Sequence, residues 1–219
     1  MKRLSHRRTI IGATIGIVLL LIAASAGLHS VIERVVENLS GQIARNPFLS
    51  GAAFVGLSAI SVPLAGVSSL LMIPIGVRYW GEITTTALLW MGWTLGGMLT
   101  YFIGRGVGAG IGRWLVSRKK IDYYQERITD TASFPLVLLF QASLPSEIPG
   151  YVLGTAKYPF LQYLIALVVV ELPFAAGAVF LGDSFLKRQY WLIILIGAAG
   201  IAFMLWATSQ FKRTLARRS

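Results

Sequence analysis

The sequence predicts an all-α integral membrane protein, with about four transmembrane helices and two opposed re-entrant helical hairpins in an inverted repeat. Three observations carry that prediction. Only 13% of the 219 residues are charged and 55% are hydrophobic, where a soluble domain carries about 25% charged residues. An ionic side chain in hydrocarbon costs several kcal/mol, so membrane segments account for the deficit. The chain also contains six apolar stretches, two of them interrupted by prolines and small polar residues, and its basic residues cluster beside them.

The first stretch, residues 9–28, follows the basic run Met1–Arg8 and is long enough to span about 30 Å of hydrocarbon. Ala24-Ser25-Ala26 resembles a signal-peptidase site; an uncleaved anchor is the favoured reading, and either reading places residue 29 outside. Over residues 31–43 the apolar side chains fall on one helical face, away from Glu33, Arg34, Glu37 and Gln42, as in an amphipathic helix on the outer surface. Residues 83–103, 159–182 and 190–209 read as plain spans. Residues 51–75 and 134–156 do not: the first contains Pro63 and Pro74, the second Pro135, Pro145 and Pro149. Proline removes a helix donor and clashes with the preceding turn. Broken backbone survives in a membrane only where protein or a water-filled cavity covers it.

Charge chooses the topology. If all six stretches cross, loop 104–132 lies outside with Arg105, Arg113, Arg118, Lys119, Lys120 and Arg127, against the positive-inside rule. If 51–75 and 134–156 turn back to the side they came from, fifteen basic residues lie inside and five outside, and every loop obeys it. The hairpins are related in sequence. Ser61-Val62-Pro63-Leu64 parallels Ser143-Leu144-Pro145-Ser146, and the spans that follow end in Gly104 and Gly182. One crossing helix separates them, so they enter from opposite faces, as in many transporters with a midplane site. The chain divides into a basic tail and first helix (1–28), an outer segment (29–49), a hairpin-bearing domain (50–185), and a last helix with a basic tail (186–219).

Residues 50–185 resemble the VTT-domain proteins, also called the SNARE-associated Golgi protein or DedA-like superfamily. The resemblance is carried by Pro63, by Tyr101-Phe102-Ile103-Gly104-Arg105, by Leu144-Pro145-Ser146-Glu147-Ile148-Pro149-Gly150 through Gly154, and by Glu171-Leu172-Pro173 and Leu181-Gly182. It implies two facing re-entrant hairpins and translocation of lipids, either phospholipid or a polyprenyl-phosphate carrier. The chain departs from the DedA-like pattern in two places. No acidic residue lies between Gly51 and Gly81, and Gln141-Ala142 stand where that pattern has arginine before the second-hairpin proline. The chain is closer to the broader VTT group.

Candidate path residues are Glu147, Glu171, Arg105 and Gln141, with Pro63, Gly66, Pro145, Pro149 and Gly150 at the hairpin tips. Glu147 reads as a protonatable gate or headgroup sensor at a half-helix N-terminus, or as a helix-start carboxylate beside Ser146 acting as N-cap. Glu171 reads as a relay, paired with Arg105 or another buried donor, or as a structural hydrogen-bond acceptor. Arg105 reads as a phosphate fork or a positive-inside anchor. Gly92 and Gly96 have the spacing of a close helix contact. Arg78, Glu82, Trp191 and Trp206 read as interface anchors. Loop 109–132 mixes aromatic and basic residues and is expected to lie on the anionic inner leaflet.

A net charge of +11 on a soluble protein would suggest nucleic acid; here the clustering beside apolar spans argues against it. With no cysteine and with His6 and His29 isolated, neither a metal site nor a cofactor is expected. No Ser/His or paired-Asp set points to an enzyme. The expected function is lipid translocation, with a small-solute or ion transporter and a non-transporting membrane organiser as alternatives. Expected partners are membrane lipids, anionic inner-leaflet lipids included, and further copies of the chain. The expected location is a bacterial inner membrane with both termini in the cytoplasm.

Overall fold

The computed structural model describes residues 43, 45–64, 72–107, 132–144 and 146–216. The predicted first span, the outer amphipathic segment up to residue 42, the basic loop over 108–131, Gly66 and Pro145 lie outside the described residues. The chain divides into two units, Met1–Asn46 and Pro47–Ser219, and everything below concerns the second.

Among the described residues every regular element is helical: α1 Pro47–Ser61, α2 Ile73–Val107, α3 Phe134–Ser143, α4 Glu147–Thr155, α5 Phe160–Leu186 and α6 Tyr190–Ala216. Three helical stretches, Ile73–Gly106, Phe160–Leu186 and Tyr190–Phe211, are long and apolar enough to cross a membrane. By contrast α3 has ten residues and α4 nine, about 15 Å each at 1.5 Å per residue, so each covers about half of a bilayer core.

Proline sets the boundaries. α1 stops at Ser61, two residues before Pro63. α3 stops at Ser143, and Leu144 is extended at φ −139° and ψ 154°, the conformation that a residue preceding proline prefers. α2 is continuous in outline but reverses at Gly81, whose φ of 74° and ψ of 173° lie in territory open almost only to glycine. The separation from Pro63 to Gly104, 41 residues against 37 from Pro145 to Gly182, predicts a loop around Gly76–Gly81; the chain there is helical up to that one residue.

The arm of α2 after Gly81 runs parallel to α1. Gly51 lies against Leu88, Gly92 against Val55 and Ser58, and Gly96 against Ala59 and Val62. Two consecutive parallel segments need a return between them, which is the arm of α2 before Gly81; its Gly76 lies against Phe54 and Thr85. α5 runs antiparallel to the long arm. Tyr163 OH donates to Gly97 O at 2.8 Å, and Trp90 Nε1 to Val168 O at 3.0 Å. α3 and α4 meet the same end of the bundle: Phe140 stacks on Phe211 near the end of α6 at 5.3 Å, and Thr155 lies against Gly104 near the end of α2.

The packing is reciprocal. α4 lies on the long arm of α2, where Gly104 faces the backbone of Tyr151 and Gly154 faces the carbonyl of Tyr101. The short arm of α2 lies on α5, where Ile73 and Val77 pack with Ala175, Ala178 and Val179, and Gly182 faces Ile73. Each short segment thus rests on the long helix of the other half, and Gly104 and Gly182, matched in sequence, make the two close approaches. Small residues at such crossings let backbones meet where lipid offers no hydrophobic drive.

Candidate functional site

The helix that follows the second break reaches the first. Tyr151, fully buried on α4, donates its hydroxyl to Pro63 O at 3.2 Å, in the turn after α1. α4 thus touches the turn after α1 through Tyr151, and Ser146 at its start touches Glu171 on α5. Glu171 is only 2% exposed. Its carboxylate accepts a hydrogen bond from Ser146 Oγ, which ties the break to α5.

That bond corrects one expectation. Ser146 is in helical conformation and makes no side-chain cap to α4; its hydroxyl is drawn to the buried carboxylate, which is the stronger acceptor. Gln141 lies in the last turn of α3 at 1% exposure. Its amide is near enough for the Glu171 carboxylate to feel it, yet neither Oε1 nor Nε2 is aligned in a hydrogen bond. Proximity without alignment is the reading that satisfies both facts. Glu147 opens α4, is half-buried, and has interactions of its own; it adds negative potential at Glu171 and Tyr151.

Arg105 is not brought to Glu171. It is exposed near the end of α2, where a cation complements the helix dipole, and donates to Tyr101 OH at 2.8 Å. Tyr101 in turn donates to Tyr158 O at 2.5 Å and stacks on Tyr163 at 4.9 Å. Glu171 is eight residues further along α5, about 12 Å away. Pro149 and Gly150 are not at the tip either: both are buried inside α4, with Gly150 against Thr100. Of the predicted anchors, Trp191 and Trp206 are exposed, whereas Glu82 is paired with Lys187 at 3.3 Å.

The described cavity is elsewhere. About 510 Å³ opens between Trp80, Glu82, Thr84 and Asp183, at the end of the bundle near Lys187. It is shallow and distant from Glu171, so the buried polar cluster, not the cavity, is the candidate site. Sequence reasoning missed Tyr151 as the link between the breaks and gave Ser146 the wrong partner. A tyrosine within an apolar, proline-broken stretch was the available signal, because a buried phenol needs an acceptor.

The family model for the VTT domain matches residues 62–184. The chain belongs to the VTT-domain family. No curated relative and no solved structure matches it. The VTT domain begins in the turn after α1 and ends in the last turn of α5, so it contains both breaks, Glu147, Glu171 and both glycine approaches. Two of the three helices that are long and apolar enough to span, Ile73–Gly106 and all but the end of Phe160–Leu186, lie in this VTT domain, which is a membrane domain.

Proposed function

We propose that this VTT-domain protein translocates membrane lipids, the headgroup passing between two re-entrant hairpins. One observation carries the reading: the half-length helix after the second break bonds the turn at Pro63 through Tyr151, and the break itself holds a buried carboxylate through Ser146. Polar groups and interrupted backbone are costly in hydrocarbon unless they line a path or are buried in protein. In this reading the first hairpin is α1 with the short arm of α2, and the second is α3 with α4. They enter from opposite faces, and the crossing helices are residues 9–28, the long arm of α2, α5 and α6. Both termini are cytoplasmic and the membrane is a bacterial inner membrane. The partners are its lipids, anionic ones included, and the protein is a transporter without enzymatic activity. The family supports a transporter-like role at this coarser level.

The test uses purified protein in liposomes with a trace of head-labelled phospholipid and a membrane-impermeant quencher outside. Wild type should allow quenching well beyond the outer half, and Glu147→Gln and Glu171→Gln should lose it. Quenching that stops at half for wild type would rule out general phospholipid movement. The enclosure of Glu171 favours a small-ion transporter as the second reading.

A further inference from the structure

We propose that Gln141, Ser146 and Glu171 form a binding site for a small monovalent cation, of the sodium class, at the break of the second hairpin. The inference deepens the transport reading and rests on the break being part of the path.

The unbalanced group is Glu171. Glu171 is buried and, among the described residues, no lysine or arginine pairs with it. An isolated buried carboxylate is expensive and must be neutralised by a proton or a cation. The neighbouring amide of Gln141 is orphaned as well. Gln141 is as deeply buried, and neither end of its amide has a partner. A buried amide left unbonded costs on the order of 1–3 kcal/mol. A cation resolves both problems at once. Gln141 Oε1, Ser146 Oγ and one Glu171 oxygen coordinate it, and Gln141 Nε2 donates to the second Glu171 oxygen.

The donor set selects the ion class. One carboxylate with neutral oxygens leaves a monovalent ion nearly balanced, whereas Ca²⁺ sites use more carboxylates. The described residues contain no cluster of three His, Cys, Asp or Glu suited to a transition metal. Gln141 sits in the last turn of α3, where carbonyls and the negative end of the dipole face the break. Half-helix C-termini of this kind hold coupling ions in transporters with broken helices. Glu147, Tyr151 and Tyr163 add no positive charge to compete.

The test measures thermal unfolding of the full chain in detergent, read by tryptophan fluorescence. Na⁺ is exchanged for N-methyl-D-glucamine at fixed pH and ionic strength. Wild type should gain about 5 °C in Na⁺. Gln141→Leu should lose the gain, while Glu82→Gln, at the distant acidic cluster, should keep it. Gln141→Glu, with a second carboxylate, should acquire a Ca²⁺-dependent rise that wild type lacks; this arm holds if Gln141→Leu does not fold. No Na⁺ effect on wild type, an undiminished effect in Gln141→Leu, its loss in Glu82→Gln, or no Ca²⁺ response in Gln141→Glu would each overturn the proposal. Na⁺ stabilisation without lipid movement would defeat the transport reading alone. Lipid movement without Na⁺ stabilisation would defeat this site alone.

Discussion

Ser146 shows how one side chain decides between two local roles. A serine before a helix ordinarily caps it, but here its hydroxyl goes to Glu171 on another helix. The two roles predict different mutants. Ser146→Ala removes the donor and should cost about 1–3 kcal/mol, the penalty for under-satisfying a buried acceptor. Ser146→Asp is the better discriminator. Aspartate is as good a cap as serine, so a capping role would leave stability unchanged. A second carboxylate facing Glu171 should instead destabilise more than alanine does. Thermal unfolding in micelles reads both, and equal stability of wild type and Ser146→Asp would refute the assignment. This pairing was not legible in the sequence, because twenty-five residues separate Ser146 from Glu171 and only the tertiary arrangement joins them. Glu171 itself was legible, as a carboxylate inside an apolar stretch is conspicuous by its cost.

At the scale of elements, the helix boundaries were the most legible feature and the crossings the least. Pro63 and Pro145 mark breaks because proline restricts the residue before it, and both breaks fall where that predicts. The reversal at Gly81 was legible in part: a loop was expected around Gly76–Gly81, but not that the whole turn would fall on one glycine with helix on both sides. The helix crossings turn on which glycines meet backbone. At Gly154 an added Cβ would run into the carbonyl of Tyr101, which cannot swing away, whereas at Gly177 it would meet nothing within 4 Å. Gly154→Ala should therefore cost about 1–3 kcal/mol or more, and Gly177→Ala should be neutral or gain up to about 1 kcal/mol. Comparable unfolding temperatures for the two variants would show that α4 does not rest on α2 this closely. The turn between α5 and α6 adds an electrostatic tie. Hydrogen bonds to Asp183, then to Glu82, hold the Lys187 ammonium pKa above its ordinary value. A raised folded pKa means that the stabilisation is complete below the unfolded value, about 10.4, and is lost as pH climbs through the folded one. Wild type should thus exceed Lys187→Met slightly at pH 8, more in low salt than in high, and the difference should vanish as pH climbs past the raised folded pKa. A difference that grows with pH would contradict the sign.

For the molecule as a whole, the charge rule bears on the side of each loop and the contacts on which helix ends lie together. The charge rule places Arg78 outside and Lys157 inside from the count of basic residues alone. The contacts know nothing of a membrane, yet they put Glu82 beside Lys187 at one end of the bundle and Tyr101 against Tyr158 at the other. A chain that crossed at every apolar stretch would put residues 78 and 157 on the same, inner side, with loop 104–132 outside. In the structure the arm before Gly81 returns toward the Lys187 end, so residue 78 belongs with 187 and opposite 157. The absence of cysteine makes the test direct, since each single cysteine is the only one in its chain. In intact cells a membrane-impermeant maleimide should label Arg78→Cys and Arg188→Cys, and should reach Lys157→Cys only after permeabilisation. Protection of residue 78 together with 157 would restore the six-crossing topology. The two hairpins would then be ordinary broken spans, and the reciprocal packing of the short segments on the long helices would lose its meaning as a paired entrance from the two faces.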